Sequence, residues 1–392
     1  MPLAYKAHFP GLSVLAIAYF ALGTGSLAVV GLLDPMAETL GVGTTDVAQL
    51  VTVFALTFAV AAPGFQILFS GWPRRALLLL GLGVTGVGAI GAAFAPTLGW
   101  AIAARVVMAL GGAAVGPMAS ALAAHMVPPA QQVRALSFVF GGLIFSTVLG
   151  VPIATWVGHA LHWQGVFVTL GLLSLACIPA TLRFIHDRSA GNPISAGALF
   201  GVLRDPPTAW SVVTTLLQIG GQFVTYTLIA LVLTERYALP AAYVSVALLA
   251  FGVAGVSGNW LGGRLGDRGS ALRIVWIAVA GLAVVFVAMA LVPHNALAGI
   301  VLFAAWGVLA MLFQAPQQKR LIGFAPGMGG LVLALNSSAT YVGVSLGSYT
   351  STHAWREWGT ASLPIVSAVF LAGAALALFL SQPRKAAADV PG

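Results

Sequence analysis

The octapeptide Gly262-Gly263-Arg264-Leu265-Gly266-Asp267-Arg268-Gly269 separates two apolar runs, 241–263 and 272–292. Each run has the length an α-helix needs to cross the hydrocarbon core of a bilayer, about 20 residues. Between them a carboxylate and two guanidinium groups lie close together, flanked by glycines that allow tight helix approach. Outward from this point the same alternation recurs to both ends of the chain. In the first half, apolar runs lie near 12–33, 47–69, 76–95, 98–125, 134–159 and 164–185. In the second they lie near 207–233, 241–263, 272–292, 297–316, 329–352 and 361–381. The pattern predicts an all-α integral membrane protein with twelve transmembrane helices.

Composition points the same way. Of 392 residues, 59% are hydrophobic and 7% are charged, whereas soluble domains carry about 25% charged residues. The single cysteine, Cys177, excludes an intramolecular disulfide and a cysteine metal cluster. A net charge of +8 raises nucleic acid as a partner, but the cations form neither a basic stripe nor a basic-aromatic motif, so none is expected. No His-x-x-x-His pair, Gly-x-Ser-x-Gly elbow or phosphate-binding loop occurs, which argues against an enzyme, an ATP-driven pump, a bound metal or a cofactor. The run 11–33 is too long for the core of a signal peptide and is read as the first span.

The charge is explained by topology. With a cytoplasmic N-terminus, one membrane face receives Lys6, Arg74, Arg75, Arg134, Arg183, Arg188, Arg204, Arg264, Arg268, Arg273, Lys319, Arg320, Arg384 and Lys385. The other receives Arg236 and Arg356 alone. Such asymmetry follows the positive-inside rule and predicts both termini in the cytoplasm. The basic loop at 70–75 recurs at 266–273, about half a chain later, and residues 186–206 read as a linker between bundles 1–185 and 207–392. Parallel duplicated bundles are a transporter architecture, with the substrate site between the halves near the bilayer midplane.

The octapeptide resembles the G-x-L-x-D-R-x-G signature of the major facilitator superfamily, and the preceding Gly258-Asn259 fits its bacterial drug and sugar efflux branch. The resemblance implies two pseudo-symmetric six-helix bundles and alternating access, with Asp267, Arg268 and Arg264 as a cytoplasmic gate. Arg74 and Arg75 are their first-half counterparts, in a loop that lacks an acid. A solvated turn that obeys the positive-inside rule is the plainer reading of the octapeptide. Span four carries Arg105 in Arg105-Val106-Val107-Met108-Ala109-Leu110-Gly111-Gly112, similar to a signature of drug:proton antiporters that is tied to proton coupling or substrate binding. A charge at a helix centre costs about 2.5–3.5 kcal/mol on insertion scales, so it faces a wet cavity or a partner unless it snorkels to the surface. Span five offers Gly150-Val151-Pro152-Ile153-Ala154-Thr155-Trp156-Val157-Gly158, similar to the glycine-proline antiporter signature, with Gly150, Pro152 and Gly158 as its packing and kinking positions.

Polar side chains supply the remaining candidates. Thr214, Gln218, Gln222 and Thr225 share one face of span seven, and Asn336 and Thr340 share a face of span eleven beside Tyr341. Interhelical hydrogen bonding and substrate contact both account for such stripes. In span one, relatives often carry a carboxylate after Gly-Thr; here Gly23-Thr24-Gly25-Ser26 leaves Ser26 in its neighbourhood, and Asp34, Glu38 and Asp46 read as a solvated acidic rim. With no carboxylate in a span interior, the cavity suits a neutral polar or anionic solute; the resemblance to the drug:proton antiporters of a bacterial inner membrane implies its export against protons, by a monomer in the lipid bilayer. Export of lipophilic cations is the alternative within the class, and a membrane enzyme or sensor on the same scaffold the alternative outside it.

Overall fold

The computed structural model describes residues 3–69, 71–128, 132–160, 162–187, 189, 197, 201–268, 270–292, 295–324 and 329–382, and the described elements are all helices. The first half contains α1 (Leu3–Leu27), a short α2 (Leu33–Leu40), α3 (Thr44–Leu68), α4 (Arg74–Ala93) and α5 (Leu98–His125). It continues with α6 (Gln132–Phe145), α7 (Val151–Ala160) and α8 (Trp163–Phe184). The second contains α9 (Pro206–Tyr226), α10 (Ile229–Leu231), α11 (Val244–Arg268), α12 (Ala271–Leu291), α13 (Ala296–Phe324), α14 (Gly329–Trp358) and α15 (Ser362–Leu380). Among the described residues, ten helical segments are long and apolar enough to cross a membrane, or eleven when the pair Pro206–Tyr226 and Ile229–Arg236, bent by 53°, counts as one. The remaining long helix, α14, has 30 residues, and Asn336, Ser337, Ser338 and Thr340 dilute its apolar character.

Local chemistry explains the breaks. α6 and α7 form one rod interrupted by a π turn at Ser146–Gly150, where the Val151 N–H reaches back to the Ser146 carbonyl. Pro152 follows directly; it has no N–H to donate, and its ring would crowd the carbonyl four residues earlier, so the backbone widens there. α9 starts on Asp205, whose carboxylate accepts from the Thr208 N–H at 3.1 Å, with Pro206 in the first turn. α2 was not anticipated from hydropathy. It carries Asp34 and Glu38 and ends at Gly41, whose φ of 66° is the left-handed conformation glycine adopts freely. The octapeptide is helical through Arg268 rather than a loop, and Ser270 then caps α12.

Within the first half, α4 packs on α5 and α8, α3 on α5, and α1 on α6 and α8. Within the second, α11 packs on α13, α9 on α14 and α15, and α12 on α13 and α15. The halves meet along two seams. One sets α3 against α14; the other sets the π turn and α7 against α11. The second seam is a backbone contact: a Cβ on Gly252 would lie 2.6 Å from Val148 Cα and 2.7 Å from the Thr147 carbonyl oxygen.

Candidate functional site

Arg105 is 1% exposed, so it does not snorkel. Its Nη1 donates to the Gly25 carbonyl at 2.6 Å, Nη2 to the Ser26 carbonyl at 2.9 Å and Nε to the Leu50 carbonyl at 3.3 Å. The guanidinium also lies 4.4 Å from the centre of the Phe54 ring. The sequence makes this possible because α1 stops at Leu27 and tightens into a 3-10 turn at Ala28–Gly31. Carbonyls at a helix C-terminus lack intrahelical donors and carry the negative end of the helix dipole, so a cation there is stabilised without a carboxylate. Arg105 therefore ties α1, α3 and α5 together. Ser26 contributes its carbonyl to this contact, while its hydroxyl turns back to the Gly23 carbonyl at 2.8 Å.

The polar stripe of α9 divides. Gln222 Oε1 accepts from Trp306 Nε1 at 2.8 Å, inside a cluster of Tyr226, Phe251, Phe286 and Phe303 around that indole. Thr225 Oγ1 lies 2.7 Å from Ser367 Oγ, and Thr214 Oγ1 donates to its own helix at Trp210. Gln218 differs from all three. It is fully buried, and neither its amide oxygen nor its amide nitrogen has a partner. An unpaired buried polar group costs about 1–3 kcal/mol, so Gln218 is the member of the stripe whose amide the protein itself leaves unsatisfied.

On α14, Asn336 Oδ1 accepts from Thr215 Oγ1 at 2.7 Å, and Thr340 Oγ1 donates to the Asn336 carbonyl at 3.0 Å. Tyr341 crosses the seam and stacks on Phe58 with ring centres 3.9 Å apart. Residues without a signal in the stripes complete the picture. Gln317 Nε2 donates to the Ser211 carbonyl at 2.8 Å, and Gln317 Oε1 accepts from Arg320 at 2.9 Å. Arg320 in turn reaches Ser381 Oγ at 2.8 Å. The spacing of three between Gln317 and Arg320 was the available clue, since such pairs meet on a helix.

At the cation-rich end, Arg74 Nη1 donates to Ser189 Oγ at 2.6 Å and Arg75 Nη2 to the Leu182 carbonyl at 2.7 Å. Asp187 accepts from the Ser189 N–H at 2.7 Å. Burial opposes its charge, but the Ser189 hydrogen bonds and the nearby charges of His125 and Arg74 outweigh that and hold its carboxyl below the ordinary value. Asp187 thus supplies an acid near Arg74, whose own segment, 70–75, has none. Arg264 lies 5.1 Å over the Trp260 ring. The side chains of Asp267 and Arg268, together with Arg188, Gly269, Arg384 and Lys385, fall outside the described residues.

At the opposite end, Arg356 pairs with Asp46 at 2.5 Å and donates to Thr45 Oγ1 at 3.3 Å, joining α14 to α3. Asp46 leaves the acidic rim for this pair. Arg236 donates to the Met289 carbonyl at 3.0 Å and to that of Ala290, closing the end of α12. The span-five glycines are close-packing positions: a Cβ on Gly150 would lie 2.1 Å from Thr24 Oγ1, and one on Gly158 2.1 Å from Leu32 Cδ2. Pro152 is buried beside them. Among the described residues, no three His, Cys, Asp or Glu side chains gather as a metal site would require.

Known proteins share this build. Residues 15–348 match the Major Facilitator Superfamily. The uncharacterized MFS-type transporter YtbD of Bacillus subtilis (strain 168) is 30% identical over 360 residues, covering 89% of each chain. The inner membrane transport protein YdhP of Escherichia coli (strain K12) is 28% identical over 381 residues, covering 97% of each. Among solved structures, a bacterial homolog of the human lysosomal transporter Spinster superposes with a TM-score of 0.74 at 12% identity, covering 97% of each chain. A POT family transporter in complex with a thioalcohol-conjugated peptide gives 0.76 at 12% identity, covering 95% of this chain and 96% of that one. With a family match across most of its length, relatives named as transporters and two helical halves around a common interface, the chain belongs to the major facilitator superfamily and is a secondary transporter.

Proposed function

We propose that the protein exports a small neutral polar solute in exchange for protons by alternating access between its two halves. Gln218 carries the substrate reading. Its buried amide offers two donors and one carbonyl acceptor with no protein partner, which a neutral hydroxyl- or amide-bearing solute matches. An anionic solute, equally open from sequence, loses its main support because three N–H donors of Arg105 are engaged with main-chain carbonyls. Export and proton coupling rest on the resemblance to drug:proton antiporters. Counting α14 as a span brings the total to twelve, which gives two bundles, 1–185 and 207–392, joined by a cytoplasmic linker, 186–206, and puts both termini in the cytoplasm of the inner membrane of a bacterium. The cation-rich end then faces the cytoplasm, where Arg74, Arg75, Arg264, Asp267 and Arg268 form the gate, and a monomer suffices.

Proteoliposomes test this directly. Neutral, anionic and cationic solutes are offered with and without an imposed pH gradient. Gradient-driven movement of neutral polar solutes, lost in Gln218→Leu with the fold intact, supports the proposal. Movement of lipophilic cations by both wild type and Gln218→Leu would replace it with the multidrug reading, and indifference to the gradient would remove protons from the cycle.

A further inference from the structure

At the cation-poor end, the seam between α7 and α11 does not close. Two cavities of about 270 and 190 Å³ lie there, and they share Trp156 and Ser245. The larger is bordered by Thr155, His159, Ala160, Ala241 and Ala242, at the ends of the helices; the smaller descends along Leu149, Pro152, Ile153, Val246 and Leu249. Polarity therefore falls along the groove from the helix ends toward the membrane interior. The mouth has a particular chemistry. Trp156 is 62% exposed, its indole N–H is a donor only, and neither it nor the Ser245 hydroxyl has a hydrogen-bond partner among the described residues. His159 spends Nε2 on the Gly31 carbonyl at 3.1 Å and keeps its other ring nitrogen.

A donor-bearing mouth above an apolar floor, oriented along the membrane normal, is complementary to one class of molecule that the surroundings supply. Phospholipid phosphate and ester oxygens accept hydrogen bonds at the headgroup level, and the acyl chain runs inward, while tryptophan favours the same interfacial depth. We propose that this groove is a phospholipid site: ester and phosphate oxygens meet Trp156 and Ser245, and one acyl chain lies along Ile153, Val246 and Leu249. The wall of the groove is the rod that carries the π turn and Pro152, and its two sides belong to different halves. A lipid bound there contacts both, so occupancy favours the arrangement in which the groove is open.

Photo-cross-linking with a phosphatidylethanolamine carrying a diazirine in its acyl chain tests the site in reconstituted full-length protein. Peptides containing 149–160 and 241–249 are expected to label several-fold more than the exposed apolar surfaces around Val284 on α12 and Val369 on α15, which serve as ordinary lipid contacts. Trp156→Phe with Ser245→Ala removes both donors without filling space, and Ser245→Trp fills the groove; both are expected to bring labelling down to the control level, with unchanged thermal unfolding. Equal labelling of groove and control surfaces in the wild type, or excess labelling that survives both variants, would overturn the proposal.

Discussion

The two seams between the halves do the same job with different chemistry. Along α3 and α14, side chains meet: Phe58 stacks on Tyr341 and Asp46 pairs with Arg356 at the cation-poor end. Along the π turn, α7 and α11, backbone meets backbone at Gly252, and the cation-poor end stays open as a groove. Side-chain fastenings are graded and respond to charge, while a glycine contact is steric and tolerates no addition. One seam is therefore tunable and the other is close to all-or-none.

The sharpest way to break this contrast is Gly252→Val. Backbone atoms at 2.6 and 2.7 Å from the new Cβ have no side chain to swing away, so the seam must separate. Overpacking of this kind costs about 1–3 kcal/mol, enough to abolish the closed arrangement when closure is marginal. Transport in proteoliposomes is expected to be lost. Gly263→Val on the same helix, where nothing lies within 4 Å, is expected to transport normally. Equal tolerance of both variants would show that the α11 seam is not set by backbone contact.

Arg105 comes next, because it anchors the α3 side of the other seam. Its Leu50 contact lies one helical turn from Asp46, and Phe54 and Phe58 continue the row. Arg105→Ala would leave the Gly25 and Ser26 carbonyls unpaired in an apolar setting, at about 1–3 kcal/mol for each, and should lower both thermal stability and transport. Arg105→Lys should recover only part of the stability, since a single ammonium cannot span acceptors on two helices as a planar fork does. If Arg105→Ala unfolds at the wild-type temperature yet does not transport, the residue acts on the cycle and not on the helix join. Transport at the wild-type rate in either case would remove it from both.

Much of this was legible in one dimension. Span positions follow from hydropathy, because the bilayer imposes one length on every helix. The stripe Gln218, Gln222, Thr225 also followed from spacing, and the interior placement of Arg105 from the cost of a charge inside a span together with the antiporter resemblance. The partners did not. Gln222 meets an indole 84 positions away and Thr225 a hydroxyl 142 away, so which member of the stripe is left orphaned depends on packing between distant helices. The acceptors of Arg105 are main-chain carbonyls exposed where α1 tightens into a 3-10 turn, and a carbonyl has no letter in the sequence. The linker's Asp187 was likewise passed over as part of a polar stretch, because nothing local ties it to Arg74.

The ion pair of the α3–α14 seam should have a smaller and reversible effect. Both side chains are partly exposed, at 46% for Arg356 and 34% for Asp46, and exposed pairs contribute about 0.2–1 kcal/mol. Asp46→Arg alone should raise the reactivity of single cysteines introduced along the cation-poor end of α14 a few-fold, and the exchange Asp46→Arg with Arg356→Asp should restore it. High salt should mimic the single variant in part. Failure of the exchange to restore protection would leave Phe58–Tyr341 as the working contact of this seam.

The smallest expected effect tests whether charge fastening operates away from both seams. Asp187 holds its proton less tightly in the folded protein than in the unfolded chain, because the Ser189 hydrogen bonds and the positive neighbours outweigh its partial burial. A depressed carboxyl value contributes stability that is fully present above the unfolded value and is lost as pH falls through the folded one. The fastening of the linker to Arg74 should therefore be intact at neutral pH and loosen only below about pH 4, the ordinary range for an aspartate. Limited proteolysis of detergent-solubilised protein by an acid-active protease is expected to cut near 186–189 faster as pH is lowered through that window. In Asp187→Asn, cleavage should be faster at the upper end of the window and nearly independent of pH, since the side chain no longer titrates. Wild type and variant that remain equally resistant throughout would mean that the Arg74–Ser189 contact holds the linker without its acid.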